Sequence, residues 1–383
     1  WGVAPTTVEV RDGQIVHPAT QRTATYAALA AQPDLAELFD RPVRDEIALT
    51  PVSQWRVMGR PDARPGLRDY VTGAHQYPSD LSPPGTLRGK VLRPPSFGAR
   101  LVSLDLAAVQ ALEGVIVVHE DQFAGVAAPT TFRAEAALRM LAKSAVWQEA
   151  PHPSSAAVFD YLRQHAREEL PDEPLGAAAA SAHRTHRRTF HVPYVQHAPM
   201  ETRTALAEWQ DGRLTVWTGT QAPFGYHRAL AQTFGLADHQ VRVVVPDFGC
   251  GFGGKHTAEA AIEAARLARA ARAPVSLQWT REEEFTWAYF RPAAVIDVAA
   301  ALDPQGAVTA WSFVNINSGP AALGTPYRVG QSDCRYVPSE SPLRQGSYRV
   351  LAAVANNFAR ECFVDELAEL SGADQIGRAS CRE

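Results

Sequence analysis

The residues best placed to do chemistry lie in VRVVVPDFGCGFGGKHT, Val241–Thr257, where a β-branched run gives way to a glycine-dense turn and then to an alanine-rich segment. Glycines at 249, 251, 253 and 254 let backbone approach a guest closely, and a helix start offers free N–H groups with a partial positive charge. The pattern therefore points to an anionic or polar cofactor gripped by amides rather than to a side-chain nucleophile. Gly249–Lys255 satisfies G-x-x-x-x-G-K, yet His256 stands where a phosphate-binding loop needs the Ser or Thr that holds Mg²⁺. Gly249, Gly251 and Gly254 also satisfy G-x-G-x-x-G, but Thr280 and Arg281 precede the first acid after the next strand, which misplaces a ribose-binding carboxylate. A nucleotide-binding α/β protein using this turn for phosphate is the alternative reading. A strand-to-helix connection without a ligand is the plainest one.

Other clusters carry less. His183, His186, His191 and His197 match no metal-ligand spacing, and Arg184, Arg187 and Arg188 would repel a cation, so a strand with a polar face is expected there. Glu282, Glu283 and Glu284 cannot all point into one cleft and read as a solvated helix start. The cysteines, at 250, 334, 362 and 381, form no C-x-x-C, so no iron–sulfur cluster can be built from local spacing.

The elements that must position the turn follow from periodicity. Strands are expected at Leu87–Arg93, Leu101–Leu104, Val115–His119, Leu214–Thr218, Val241–Val245, Val275–Trp279 and Ala294–Ala301. Helices are expected at Leu106–Leu112, Ala134–Ala142, Ser155–Glu169, Tyr226–Phe234, Ala258–Arg272 and Ala359–Leu370. This is an α/β (α+β) chain. Residues 1–50 read as a partial α/β segment with a strand at Thr7–Val10, a turn at Asp12-Gly13 and a helix near Thr25–Ala31. Residues 51–69 and 151–182 read as linkers, the second ending in a mobile PDEPLGAAAA stretch, on either side of an α/β domain at 70–150; a further domain fills 183–375. Residues 376–383, IGRASCRE, match the translation of a common sequencing adapter, and the natural protein is expected to continue past Asp374, with both ends truncated. A net charge of -4 with scattered Lys and Arg favours a small-molecule substrate and no nucleic acid.

The run PDFGCGFGGKHTAEAAIEAARLARAARAPVSLQWTREEEFTWAYFRPAAVIDVAA, Pro246–Ala300, resembles the molybdopterin-binding segment of the xanthine dehydrogenase and aldehyde oxidase family, whose pattern there is GGGFGGK. KHTAEAAIEAARLA and WTREEEFTWAYFRPA are similar to its nicotinate and isoquinoline dehydrogenase branch. Val71–Val118 resembles the family's hammerhead domain, although Thr86 and Arg88 replace the Met and His common there. His197–Trp209 and the following LTVWTGTQAPFGYHRALAQTFGL resemble the start of its first molybdopterin-binding domain, and Ser341–Asp374 a later cofactor-contacting segment.

The resemblance implies a fold and a set of roles. The fold is a hammerhead domain followed by an incomplete first molybdopterin-binding domain. Gln221 matches the glutamine that hydrogen-bonds the apical molybdenum ligand and so touches the metal indirectly; Gly251, Phe252 and Gly253 match the turn that meets the cofactor, and Arg349 an arginine beside the metal–dithiolene unit. His256 and Leu351 fall at the substrate pocket, where His256 replaces a substrate-binding Glu of purine hydroxylases and disfavours a xanthine-like substrate. Cys250 occupies a Gly position, which requires backbone angles ordinary for a residue with a Cβ. The general-base Glu is expected downstream, so this chain alone holds no catalytic residue and is expected to be inactive. The implied enzyme hydroxylates an N-heterocycle or an aldehyde with oxygen from water. It uses molybdenum–molybdopterin, including the cytosine dinucleotide form, together with a small [2Fe-2S] partner subunit and cytochrome c as electron acceptor. It would be a cytoplasmic or membrane-associated bacterial enzyme.

Overall fold

The computed structural model describes residues 1–35, 42, 49–61 and 63–374. The adapter-like tail lies outside the described residues. A break after Arg68 divides the chain into two units. The first contains a three-stranded antiparallel meander, β1 (Glu9–Arg11), β2 (Gln14–His17) and β3 (Arg22–Thr25), followed by α1 (Tyr26–Ala30). Asp12 and Gly13 both take positive φ, as a two-residue hairpin turn demands. Thr25 caps α1 by accepting the Ala28 amide at 3.0 Å. The strand expected at Thr7–Val10 starts at Glu9, because Pro5–Thr7 closes a single turn of 3-10 helix.

The strands of the second unit are β4 (Leu87–Val91), β5 (Arg100–Ser103), β6 (Ile116–Glu120), β7 (Phe123–Ala128), β8 (Val146–Gln148), β9 (Arg184–Val192), β10 (Thr204–Gln210), β11 (Arg213–Thr218), β12 (Val241–Val244), β13 (Val275–Gln278), β14 (Ala294–Leu302), β15 (Val308–Ile316) and β16 (Gln331–Val337). Helices α2 (Thr131–Ser144), α3 (Val158–Gln164), α4 (Pro223–Phe234), α5 (Glu259–Ala271), α6 (Arg281–Thr286) and α7 (Ala353–Leu370) accompany them. A mixed seven-stranded sheet runs in the order β12-β11-β10-β13-β4-β7-β6, so strands from residues 87–128 and 204–278 share one sheet. A four-stranded sheet runs β16-β15-β14-β9, and β5 pairs with β8.

Helix α5 lies on the seven-stranded sheet with Ala260, Ala261, Ala264, Ala265, Leu267 and Ala268 buried. Small alanines let the helix approach closely, and the sheet reciprocates with glycine: a Cβ at Gly89 would lie 2.8 Å from one Leu267 methyl, and one at Gly125 3.3 Å from the other. Strand β7, missed from the sequence, is buried at every residue; a strand covered on both faces carries no alternation to read. Helix α7 begins six residues before the expected Ala359 and lays Ala355, Ala359, Phe363 and Leu367 on the four-stranded sheet at i, i+4 spacing.

The stretch 151–182, expected as a linker, docks on that second sheet. Leu162 is fully buried against Val295, Val314 and Ile316, Leu175 is buried beside Ala299 and Ala310, and Arg163 holds Asp297 with two bonds of 2.7 and 2.8 Å. Its helix is accordingly shorter than Ser155–Glu169, ending where the chain turns to pack. Among the described residues no helix is long and apolar enough to cross a membrane.

Candidate cofactor-binding site

The glycine turn joins β12 to α5 and is held by its carbonyls. Gly249 O accepts the Glu201 amide at 3.0 Å, Gly251 O the Gly254 amide at 2.7 Å, and Phe252 O the Arg349 amide at 2.8 Å. Gly253 O accepts from the Tyr289 hydroxyl and Gly254 O from Arg203 Nη2. Lys255 O accepts the Gln221 amide at 3.0 Å and the Thr220 hydroxyl at 3.1 Å. Of the carbonyls from Gly249 to Lys255, that of Cys250 alone has no donor among the described residues, and the turn has amides left to offer. Gly249 N–H is taken by Glu201 and Gly253 N–H by Gln221 Oε1 at 2.9 Å, but the amides of Gly251 and Phe252 donate to nothing among the described residues.

The backbone that produces this arrangement is strained. Cys250 has φ +74°, Phe252 +53° and Gly253 +94°, with a negative φ at Gly251 between the first two. Alternating φ of this kind builds the amide concavities that bind anions. Cys250 thus adopts the left-handed region, contrary to the ordinary angles expected for it. Val350 (φ +72°) and Leu351 (φ +57°), next to Arg349, are strained as well. A β-branched residue at positive φ is a true outlier, and such outliers gather at functional sites.

The structure brings Gln221, Gly251, Phe252, Gly253 and Arg349 together. A Cβ at Gly251 would overlap Gln221 Oε1, so only glycine leaves room for the amide that steadies the turn. Because Oε1 is committed to Gly253 N–H, the Nε2 of this exposed residue remains as a donor without a partner among the described residues. Arg349 is exposed one residue from the strained pair. Leu351 lines a cavity of about 500 Å³. His256 is exposed at the entry to α5 and is not on that cavity's wall.

Beneath the turn lies a set of buried charges that the sequence reading missed. Lys255 is 1% exposed and its ammonium sits 3.2 Å from Glu201 Oε2, which also takes Gly249 N–H at 3.0 Å. Burial pushes the Lys255 pKa down, and Glu201 offsets part of that. A lysine turned inward cannot reach a phosphate, so the G-x-x-x-x-G-K reading has no physical support here. Arg203 is paired with buried Glu284, and its backbone amide meets the same carboxylate at 2.9 Å. The acidic trio is therefore not a solvated helix start. Thr280 and Glu283 do form a reciprocal cap on α6, but Glu283 also holds Arg93 at 2.7 Å, Glu284 is buried, and only Glu282 is exposed. Arg93 completes the layer by gripping Glu263 with two bonds of 2.5 and 3.0 Å and lying 4.4 Å from the Trp279 ring centroid.

The histidines separate. His186 and His191 sit on β9, the first bonded to Glu366 at 2.6 Å and the second stacked on Phe159. His197 is buried under the turn, its Nε2 2.6 Å from Ser347 O and its ring against Gly254. Burial lowers its pKa. Among the described residues no group of three or more His, Cys, Asp or Glu could hold a metal ion.

A turn with free amides at Gly251 and Phe252, no Cβ at Gly251 and most of its carbonyls bonded to the protein fits a cofactor bearing electron-rich oxygen or sulfur. Residues 162–329 match the molybdopterin cofactor-binding domain family. The chain is 26% identical to a nicotinate dehydrogenase subunit of Pseudomonas putida over 414 residues, covering 98% of this chain and 34% of that protein. It is 27% identical to the aldehyde oxidoreductase molybdenum-binding subunit PaoC of Escherichia coli, covering 88% of this chain and 51% of that protein. The chain thus spans between a third and half the length of these relatives. Quinoline 2-oxidoreductase from Pseudomonas putida 86 shares the fold with a TM-score of 0.70 at 24% identity, over 82% of this chain and 48% of that one. The turn and the sheet behind it thus lie in a chain whose residues 162–329 match the molybdopterin cofactor-binding domain family and which is similar along most of its length to molybdenum-binding oxidoreductase subunits.

Proposed function

We propose that this chain grips the molybdenum–molybdopterin cofactor of a hydroxylase that oxidises an electron-poor N-heteroaromatic or an aldehyde with water as oxygen source. The observation that carries the proposal is the polarity of the glycine turn, with the carbonyls of Gly249 and of residues 251–255 bound to the protein and the amides of Gly251 and Phe252 left to donate. When bound, the cofactor supplies the two-electron oxidation. Gln221 Nε2 and the two free amides orient it by hydrogen bonds to its electron-rich atoms, and the Arg349 guanidinium adds a positive charge beside them. Leu351 lines the cavity assigned to the substrate; His256, placed at the substrate by the family resemblance, lies off that cavity's wall, and an imidazole there in place of a carboxylate favours a heterocycle other than a purine. The general base is none of these residues.

By the same reading, residues 70–150 form a hammerhead domain and 183–375 the first molybdopterin-binding domain. From the family resemblance we infer [2Fe-2S] clusters on a separate small subunit, cytochrome c as final acceptor and the cytosine dinucleotide form of the cofactor; among the described residues Cys250, Cys334 and Cys362 are free and dispersed. A bacterial enzyme, cytoplasmic or membrane-associated, is part of the same reading; the bacterial relatives support its bacterial origin alone. The test is retention of cofactor. Loaded with molybdopterin and freed of excess, the chain is expected to keep pterin fluorescence, and Gln221→Ala and Gly251→Ala to lose it by at least about tenfold. Equal retention by all three, or saturable ATP binding at the same turn, would remove the proposal.

A further inference from the structure

We propose that Arg291 forms an oxyanion subsite, its guanidinium receiving a carboxylate or phosphate oxygen of a ligand seated in the cavity lined by Asn317, Gln345, Tyr348 and Leu351.

The first ground is how this half-buried arginine differs from the buried and half-buried ones that carry ion pairs. Arg93 holds Glu263 and Glu283, Arg203 holds Glu284, and Arg360 lies 2.9 Å from Glu361. Arg291 has no carboxylate within 4.0 Å among the described residues. Its side chain has one bond, Nη2 to Pro193 O at 2.9 Å, while Nε is shut off from solvent with no acceptor. Burial lowers its pKa, and only the Tyr348 phenol works against that. A half-buried guanidinium with a buried, unpartnered Nε and no counter-ion, its Cζ 5.5 Å from the Tyr348 ring centroid, is a group able to receive one.

The second ground is the cavity. At about 500 Å³ it is the size of a site for a small aromatic molecule. Its wall contains no Asp or Glu, and Arg291 is its one cationic residue. Asn317 and Gln345 bond each other reciprocally at 3.0 Å, which leaves the guanidinium as the principal donor. Proline, tyrosine and leucine side chains from Pro292, Tyr336, Tyr348 and Leu351 supply apolar surface. The cavity shares Ser347–Tyr348 with the glycine turn, since a Cβ on Gly253 would lie 2.9 Å from Ser347 O. A ligand held here would therefore sit beside the cofactor turn. That its ring is an N-heteroaromatic rests on the function proposed above; the oxyanion does not.

Calorimetric titration of the 383-residue chain with nicotinate, nicotinamide, benzoate and inorganic pyrophosphate tests this. Nicotinate is expected to bind at least about tenfold more tightly than neutral nicotinamide, and Arg291→Met to lose that preference. Arg291→Lys, which keeps the charge but not the fork, is expected to recover part of it. Pyrophosphate displacing nicotinate assigns the subsite to a phosphate-bearing ligand, and failure to displace it to a carboxylate substrate. Equal binding of nicotinate and nicotinamide to the unmodified chain overturns the proposal even if Arg291→Met does not fold, as does unchanged affinity in a folded Arg291→Met. Benzoate equal to nicotinate leaves the subsite standing and counts against the heterocyclic substrate alone, while pterin retention judges the cofactor site separately.

Discussion

Two of the places where non-glycine residues take left-handed backbone contrast with each other. At hairpins the chain uses Asp12, Asp121 and Asp211, with φ of 46°, 52° and 49°, and two of these precede a glycine. Aspartate tolerates that region because its short side chain can bond locally, so the turns are nearly free of strain. Around the cofactor turn the same angles fall on Cys250, Phe252, Val350 and Leu351, residue types with no such compensation. A hairpin needs left-handed backbone to reverse direction, and the sequence supplies suitable residues. The second region holds unsuitable ones in place through tertiary bonds, which is how a site shaped for a guest differs from a turn shaped for a fold.

The comparison breaks most sharply at glycine. Gly212 and Gly253 both have positive φ, but a Cβ at Gly212 meets nothing within 4 Å, whereas at Gly253 it meets Ser347 and Tyr348 backbone at 2.9–3.1 Å. Gly253→Ala is expected to lower unfolding free energy in urea by about 3 kcal/mol and Gly212→Ala by about 1 kcal/mol. Equal losses would make the two regions alike. Next in size, Val350→Gly should release strain and raise stability by about 1 kcal/mol despite glycine's extra freedom when unfolded, whereas Asp211→Asn should stay within about 0.5 kcal/mol.

The smallest effect concerns pH. His197 beneath the turn has a depressed pKa, so below the ordinary imidazole value of about 6.5 the unfolded chain binds a proton that the folded chain refuses. The contribution is fully present above that value and declines as pH falls below it. The urea midpoint should therefore fall between pH 7 and 5 more steeply in the natural chain than in His197→Gln; parallel curves would show that the histidine does not titrate there.

Much of this is legible in the residues. The β12–turn–α5 unit can be read because β-branched, glycine and alanine runs each carry a local preference, and Gln221 and Arg349 are expected beside the turn from the family resemblance alone. What stays hidden is long-range. Arg203, Glu284, Lys255 and Glu201 are separated by up to 83 residues, and a charge destined for burial has the same letter as a solvated one. Only helical periodicity hints that one Glu of three turns inward. Likewise Leu162 looks like part of a linker because its partners, Val295 and Ile316, lie far along the chain.

The two glycines facing Leu267 have a mechanical consequence. A tooth seated where the opposing rack lacks two side chains prevents α5 from sliding or rolling on the sheet. Leu267 is eight residues from Glu259, so that anchor stands about 12 Å along the helix axis from the end adjoining the glycines. A rigid rod fixed at one point fixes its tip, and enlarging either socket glycine should shift the tip while leaving every residue that meets the guest unchanged.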